Sequence, residues 1–306
     1  MAHRPPFSRG EGAPEKPPRE KKQNTGDLND LSGREWIKRT KSWFVCDSRR
    51  YYRNRNTELH PARYPEEMVA DFLEFFTKPG GWVLDPFCGS GATLVSCVET
   101  GRSGIGVELS PRYAKVAHER LAEVAGPGVV PVLQADARRI ADPALWEGIQ
   151  GPRVSASGLP EFDFVMTSPP YWDMLHKSRG GVESAHRLRK QKGLDTHYSE
   201  NEGDLGNVGD YDEFIEQLGQ VFDACARLLK PRKYLVCVVQ NLRTPEQEVK
   251  PLAWDLARRI SQTLSFQGER IWCQNSKPLG IWGFPSRFVV NYHHHYCLVF
   301  QRREQH

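Results

Sequence analysis

No apolar run in the 306 residues approaches the ~20 needed to span a bilayer, and the opening Met1-Ala-His-Arg-Pro-Pro lacks the apolar stretch of a signal peptide. Cysteine is scarce and scattered. The seven cysteines, at positions 46, 88, 97, 225, 237, 273 and 297, include no CxxC pair, which disfavours a zinc site and a disulfide framework and fits reduced thiols in the cytoplasm. Net charge is also small, at +4, while 39% of residues are hydrophobic, so a wholly disordered chain is excluded. The expectation is a soluble, cytoplasmic, globular protein without a membrane partner, long enough to bury a sizeable core.

The small net charge conceals an uneven distribution. Residues 1–63 hold 15 Lys and Arg against 8 Asp and Glu, and the segment His176–Lys192 holds six Lys and Arg against one Glu. Two basic stretches on a nearly neutral body suggest a polyanionic partner, although a solvated tail and loop would look the same. Residues 1–25, rich in Pro, Gly and charge, read as a disordered basic arm. Residues 26–306 read as one domain with a basic insertion at about 176–210.

Within that domain strand-like and helix-like segments alternate. One or two short helices are expected over Leu28–Phe44 and another over Tyr64–Thr77. Apolar Trp82–Leu84 then precedes a helix from Ala92, a strand Ser103–Glu108 and a helix Pro111–Ala125. Strands follow at Val129–Gln134, Phe162–Thr167, Tyr234–Gln240, Gln267–Cys273 and Phe288–Gln301, with helices at Asp212–Leu229 and Pro251–Leu264. This alternation predicts an α/β, Rossmann-like doubly wound sheet, mostly parallel, with an antiparallel last strand at its edge because no helix precedes that strand.

Two loops carry chemistry. In Val83-Leu-Asp-Pro-Phe-Cys-Gly-Ser-Gly-Ala-Thr-Leu94 a buried strand ends at Asp85, Gly89 and Gly91 tighten the turn, and a helix begins behind it. The missing side chains let a ligand lie on backbone amides. Glu108 ends the next strand, about 20 residues on, where a carboxylate can accept both hydroxyls of a ribose. Asp136 ends the third, placed to bond an adenine amino group. Each acid alone could be a plain helix cap; together with the glycine turn they point to an adenosine-type site. The second loop, Asp163-Phe-Val-Met-Thr-Ser-Pro-Pro-Tyr-Trp172, is a stiff turn without backbone donors at the prolines. Its carbonyls and the Ser168 hydroxyl can accept hydrogens from an exocyclic amine, and Tyr171 offers a stacking face.

These residues resemble the S-adenosylmethionine-dependent DNA amino-methyltransferases, which methylate cytosine N4 or adenine N6. Asp85-Pro-Phe-Cys-Gly-Ser-Gly91 looks like their cofactor loop and Ser168-Pro-Pro-Tyr171 like their catalytic loop. His60-Pro-Ala-Arg-Tyr-Pro-Glu-Glu67 is similar to the segment that closes over the methionine end of the cofactor. The resemblance implies a class I methyltransferase fold, with S-adenosylmethionine held by His60, Pro61, Asp85, Pro86, Phe87, Cys88, Gly89, Gly91, Glu108 and Asp136. It implies catalysis by Ser168, Pro169, Pro170 and Tyr171 on a base flipped out of double-stranded DNA, with Cys88 a packing residue and no metal required. Serine at the head of the catalytic loop favours cytosine N4 over adenine N6. An RNA base-amine methyltransferase and an inactive DNA-binding subunit are the other readings.

Candidates for nucleic-acid contact are Arg53 and Arg55, interleaved with tyrosines, and Lys177, Arg179, Arg187, Arg189 and Lys190 in the insertion. Little chain remains for reading sequence, so a short target, a second copy or a recognition partner is expected. His293-His294-His295 could suggest a metal site, but no acid or cysteine cluster has matching spacing, and a structural or substrate-facing role is expected.

Overall fold

The computed structural model describes residues 26–47, 64–124, 126–172, 203–244 and 248–304. In chain order its elements are α1 (Gly33–Arg39), β1 (Trp43–Val45), α2 (Glu66–Phe76), β2 (Trp82–Asp85), α3 (Ala92–Glu99), β3 (Ser103–Glu108), α4 (Pro111–Ala122) and β4 (Val132–Gln134). After these come β5 (Phe162–Thr167), α5 (Tyr211–Leu228), β6 (Leu229–Val239), β7 (Leu242–Arg243), β8 (Val249–Lys250), α6 (Leu252–Ile260), β9 (Ser265–Cys273) and β10 (His294–Gln301). Eight strands form one sheet in the order β1-β9-β10-β6-β5-β2-β3-β4, and β7 and β8 form a small hairpin.

The strands with continuous apolar sequence are buried on both faces, as a helix-covered parallel sheet requires. Alternate residues serve opposite sides. Val83, Phe164 and Met166 pack with Val69, Phe72 and Phe76 of α2. Leu84 and Val165 pack on the other face with Phe214, Leu218 and Phe222 of α5 and Leu252 and Leu256 of α6. Close approach of α3 to β3 depends on two glycines in the strand. A Cβ at Gly104 would lie 2.9 Å from Leu94, and one at Gly106 only 2.4 Å from the Cys88 sulfur.

Three expectations need correction. Leu28–Phe44 is not wholly helical: after α1, Trp43–Val45 is a strand that pairs in parallel with β9, a long-range contact that overrides local pattern. The last strand is antiparallel as expected, yet it lies inside the sheet, bonded to β6 on one side and β9 on the other. It also begins at His294, because residues 288–293 belong to a loop whose polar groups bond one another. The expected basic arm, residues 1–25, lies outside the described residues, as does the insertion except for residues 203–210. No helix among the described residues is long and apolar enough to cross a membrane.

Candidate active site

The parallel strands β2, β3 and β5 and the short β4 all end at one edge of the sheet. At β2 the chain turns through Gly89 (φ 52°) and Gly91 (φ 80°), both in the left-handed region where glycine is favoured. Gly91 is the N-cap of α3 and its Cα faces Ala117 of α4, where a Cβ would come within 3.1 Å. A Cβ at Gly89 would meet nothing within 4 Å, so the loop has an open face there.

Glu108, at the end of β3, closes on this loop. Its Oε2 accepts from the Gly89 amide at 2.7 Å and its Oε1 from the Ser110 amide at 2.8 Å. Burial pushes its carboxyl up to about 7, against the lowering effect of those two amides and with the help of the nearby negative charges of Asp85 and Asp204. Glu108, Pro86 and Phe87 line one side of a cleft enclosing about 660 Å³, part of it open to solvent, and Pro169 and Pro170 line it too. The two loops singled out in the sequence therefore meet across one cavity.

Asp85 plays a different part from the one expected. It is fully buried beneath the loop and does not line the cleft. Its Oδ1 accepts from the Phe87 amide at 3.1 Å and the Thr167 hydroxyl at 2.6 Å; its Oδ2 accepts from Thr93 at 2.5 Å and Tyr64 at 3.1 Å. Burial raises its pKa and the hydrogen bonds oppose that rise. Asp85 thus binds the end of β2 to α3, to the chain entering α2 and to the residue before Ser168. Cys88 is buried against Gly106, and desolvation holds its thiol protonated, as suits a packing residue.

Asp136 lines the cleft, but its carboxylate is already engaged. It caps a short helical turn through the Arg138 amide at 2.9 Å and receives the Arg138 guanidinium at 2.5–3.1 Å. An adenine amino group would share this carboxylate with Arg138. Tyr171, expected to offer a stacking face, is only 6% exposed and packs into the core, so a base stacking on it has to displace neighbouring side chains. His60, Pro61, Arg53, Arg55, Lys177, Arg179, Arg187, Arg189 and Lys190 lie outside the described residues.

Several participants escaped the sequence reading. Gly203, Asp204 and Leu205 also line the cleft. They are held there by Arg138, which donates to the Gly203 carbonyl at 3.1 Å, and by Trp172, whose indole donates to the Val208 carbonyl at 2.8 Å. The long insertion hides this proximity, because Trp172 and Val208 are far apart in sequence yet hydrogen-bonded to each other. Ser110 and Tyr113 complete the wall beside Glu108. Thr93 and Thr167 could have been suspected from the Asp85 pattern only by knowing that their hydroxyls converge. The histidine run is divided: His293 precedes β10 and has both ring nitrogens against backbone carbonyls, while His295 stacks on Trp272 at 4.6 Å. Among the described residues no group of three His, Cys, Asp or Glu could hold a metal ion.

Residues 11–119 match the family model N6_N4_Mtase, described as DNA methylase. The type II methyltransferase M.Cfr9I of Citrobacter freundii is 41% identical over 78 residues, covering 24% of this chain and 26% of that protein. The type II methyltransferase M.SmaI of Serratia marcescens is 44% identical over 78 residues, covering 24% of this chain and 27% of that protein. The chain thus spans about a quarter of the length of these curated relatives. Among solved structures, the SAM-dependent O-methyltransferase TM0748 of Thermotoga maritima is 14% identical with a TM-score of 0.44, covering 82% of this chain and 70% of that one. The similarity to the DNA methylase family that this model describes is therefore carried by residues 11–119.

Proposed function

We propose that the protein is a cytoplasmic, site-specific DNA methyltransferase that moves a methyl group from S-adenosylmethionine to cytosine N4 of a flipped-out base. One observation carries the reading: Pro86 and Phe87 of the first loop, Glu108 and the Pro169–Pro170 turn line the same cleft. The residues fit the cofactor. Open space at Gly89 leaves room for a ligand against the backbone, and Glu108 places a partly buried carboxylate beside it. Glu108 would hold the ribose and Asp136 the adenine edge, with Pro86, Phe87 and Tyr113 as apolar walls. When bound, the cofactor supplies an electrophilic methyl on a sulfonium centre.

The chain's own contribution is positioning. An aromatic amine is a poor nucleophile because its lone pair is delocalised into the ring. The Ser168 hydroxyl and the Pro169 carbonyl accept the two amino hydrogens and turn the lone pair out of the ring plane toward the methyl. The amine nitrogen would take the methyl as the carbon–sulfur bond breaks, the bonding pair leaving with sulfur as a neutral thioether, and the methylated amine gives up a proton to solvent. The basic segment at about 176–210, of which Gly203, Asp204 and Leu205 line the cleft, is the DNA-recognition element of a single domain covering residues 26–306.

The test is incubation of the full chain with methyl-labelled cofactor and either duplex DNA or RNA, followed by mass spectrometry of the nucleosides. N4-methylcytosine from DNA is the expected product. N6-methyladenine alone overturns the choice of base, and label in RNA alone overturns the choice of substrate. A second expectation concerns pH. Only the ionised Glu108 accepts two ribose hydroxyls, and its pKa is raised to about 7, so affinity for the cofactor is greatest well above that pH and is lost as pH falls through it. The ionised fraction drops about tenfold between about pH 8 and about pH 6. Calorimetric titration should show a matching loss, and a flat profile would remove Glu108 from the ribose.

A further inference from the structure

The loop between β9 and β10, residues 274–293, takes no part in the cleft as described, yet it is the most apolar exposed stretch in the described chain. Leu279, Ile281, Phe284 and Phe288 are 79%, 88%, 81% and 86% exposed, and Trp282 is nearly half exposed. Single exposed hydrophobics need no explanation; a cluster of large ones within ten residues marks an interaction surface.

The loop is not a slack connection. Its neck closes through the Gln274 amide on the His293 carbonyl at 2.7 Å. The Asn291 side chain donates to the Gly280 carbonyl at 3.0 Å and accepts from the Gly280 amide at 2.9 Å and the Trp282 indole at 3.1 Å. Lys277 donates to the Tyr292 carbonyl, and the Ser286 and Arg287 amides both donate to the Gly283 carbonyl. The polar groups are turned inward on one another while the apolar side chains remain outside. Removing such side chains from water is favourable in proportion to the apolar area covered, so the patch favours a covering partner.

Topology says where that partner lies. β10 is antiparallel to both β6 and β9, so β9 runs in the same direction as β6, β5 and β2. The loop therefore leaves the same sheet edge as the turn at Ser168 and the cleft. β6 and β10 separate β9 from β5, which puts the neck three strand spacings, roughly 14 Å, from that turn. Along B-form DNA this is about four base-pair steps. Charge completes the argument: residues 274–293 contain Lys277 and Arg287 and no Asp or Glu.

Resting on the reading of the protein as a DNA enzyme, we propose that this loop is an apolar wedge that enters the duplex a few base pairs from the target. Ile281 and Phe284 press into a base step and Arg287 meets the flanking phosphate. Apolar side chains inserted at a base step unstack it and bend the duplex, which brings more of the backbone against the protein. The wedge supplies contact at a flanking position that the short recognition surface otherwise lacks.

The experiment compares the full chain with an Ile281→Ser/Phe284→Ser variant and an Arg287→Gln variant on a labelled mixed-sequence duplex, over a salt series. The double variant is expected to lose at least about tenfold in duplex affinity with the salt slope unchanged, since apolar contacts release no counterions. Arg287→Gln is expected to flatten the slope by about one. Both should bind the cofactor as the wild type does, which separates lost contact from lost folding. If the double variant keeps its duplex affinity while the wild type methylates plasmid DNA, the wedge is overturned and the proposed function stands. If the wild type neither binds duplex nor methylates plasmid DNA, the proposed function fails and the wedge with it. A wild-type dimer that becomes monomeric in the double variant, with duplex affinity unchanged, assigns the patch to a second copy and overturns the wedge.

Discussion

Replacing Asp85 with alanine is expected to remove about 2–6 kcal/mol from the unfolding free energy, the cost of leaving about two buried donors without an acceptor. The four donors that converge on its carboxylate come from Phe87, Thr93, Thr167 and Tyr64. Each buried donor left without an acceptor costs about 1–3 kcal/mol. Tyr64 and Thr93 retain each other at 2.5 Å, so the loss falls mainly on Thr167 and the Phe87 amide. Asp85→Asn keeps a carbonyl of the same shape, and the three hydroxyls can turn to suit its amide, so a loss of about 1–2 kcal/mol is expected. Chemical denaturation measures both. An alanine variant within about 1 kcal/mol of the wild type would show that the cluster holds nothing together.

The second large effect concerns Ser168. Its replacement by alanine should lower kcat for methyl transfer by about 10²–10³-fold, the penalty for removing one preorganised polar group at a reacting centre. Cofactor affinity should be unchanged, because Ser168 is not among the residues lining the cleft. A variant with full kcat would exclude the hydroxyl from polarising the amine. The two sites are coupled: Thr167, which precedes Ser168, donates to Asp85 at 2.6 Å. Asp85→Asn should therefore lower kcat as well as stability, through displacement of the Ser168 turn.

Sequence revealed the parts of the fold that are fixed by local pattern. β3 and β5 have the boundaries expected from apolar runs, and α2 and α5 differ only at their ends, where caps and final turns are hard to read. It did not reveal β1, whose three residues become a strand only by pairing with Ile271, Trp272 and Cys273. Nor did it show that β6 begins at Leu229. Pro231 and the left-handed Arg232 (φ 62°) interrupt the pattern there, and the pairing with β5 shifts register between Phe162 and Phe164. In the site, Glu108 was legible because the turn and the next strand end lie at a spacing that chain geometry dictates. The burial of Asp85, the Arg138 partner of Asp136 and the return of Asp204 to the cleft were not. Each depends on which side chains converge from distant segments, and spacing along the chain carries no trace of that.

The interior position of β10 constrains the order in which the sheet can be completed during translation. Chains emerge from the ribosome amino end first, at about 5–20 residues per second. β2 through β6 can pair among themselves while the rest is still being made, but β1 must wait for β9. Both remain detached from the growing sheet until β10 has been inserted between β9 and β6. Throughout that interval β6 presents an unpaired apolar edge, Leu235–Val239, to any neighbouring nascent chain. Soluble yield should therefore depend on how quickly β9 and β10 follow, and benefit from low expression temperature and abundant chaperones more than from any change that stabilises the finished fold.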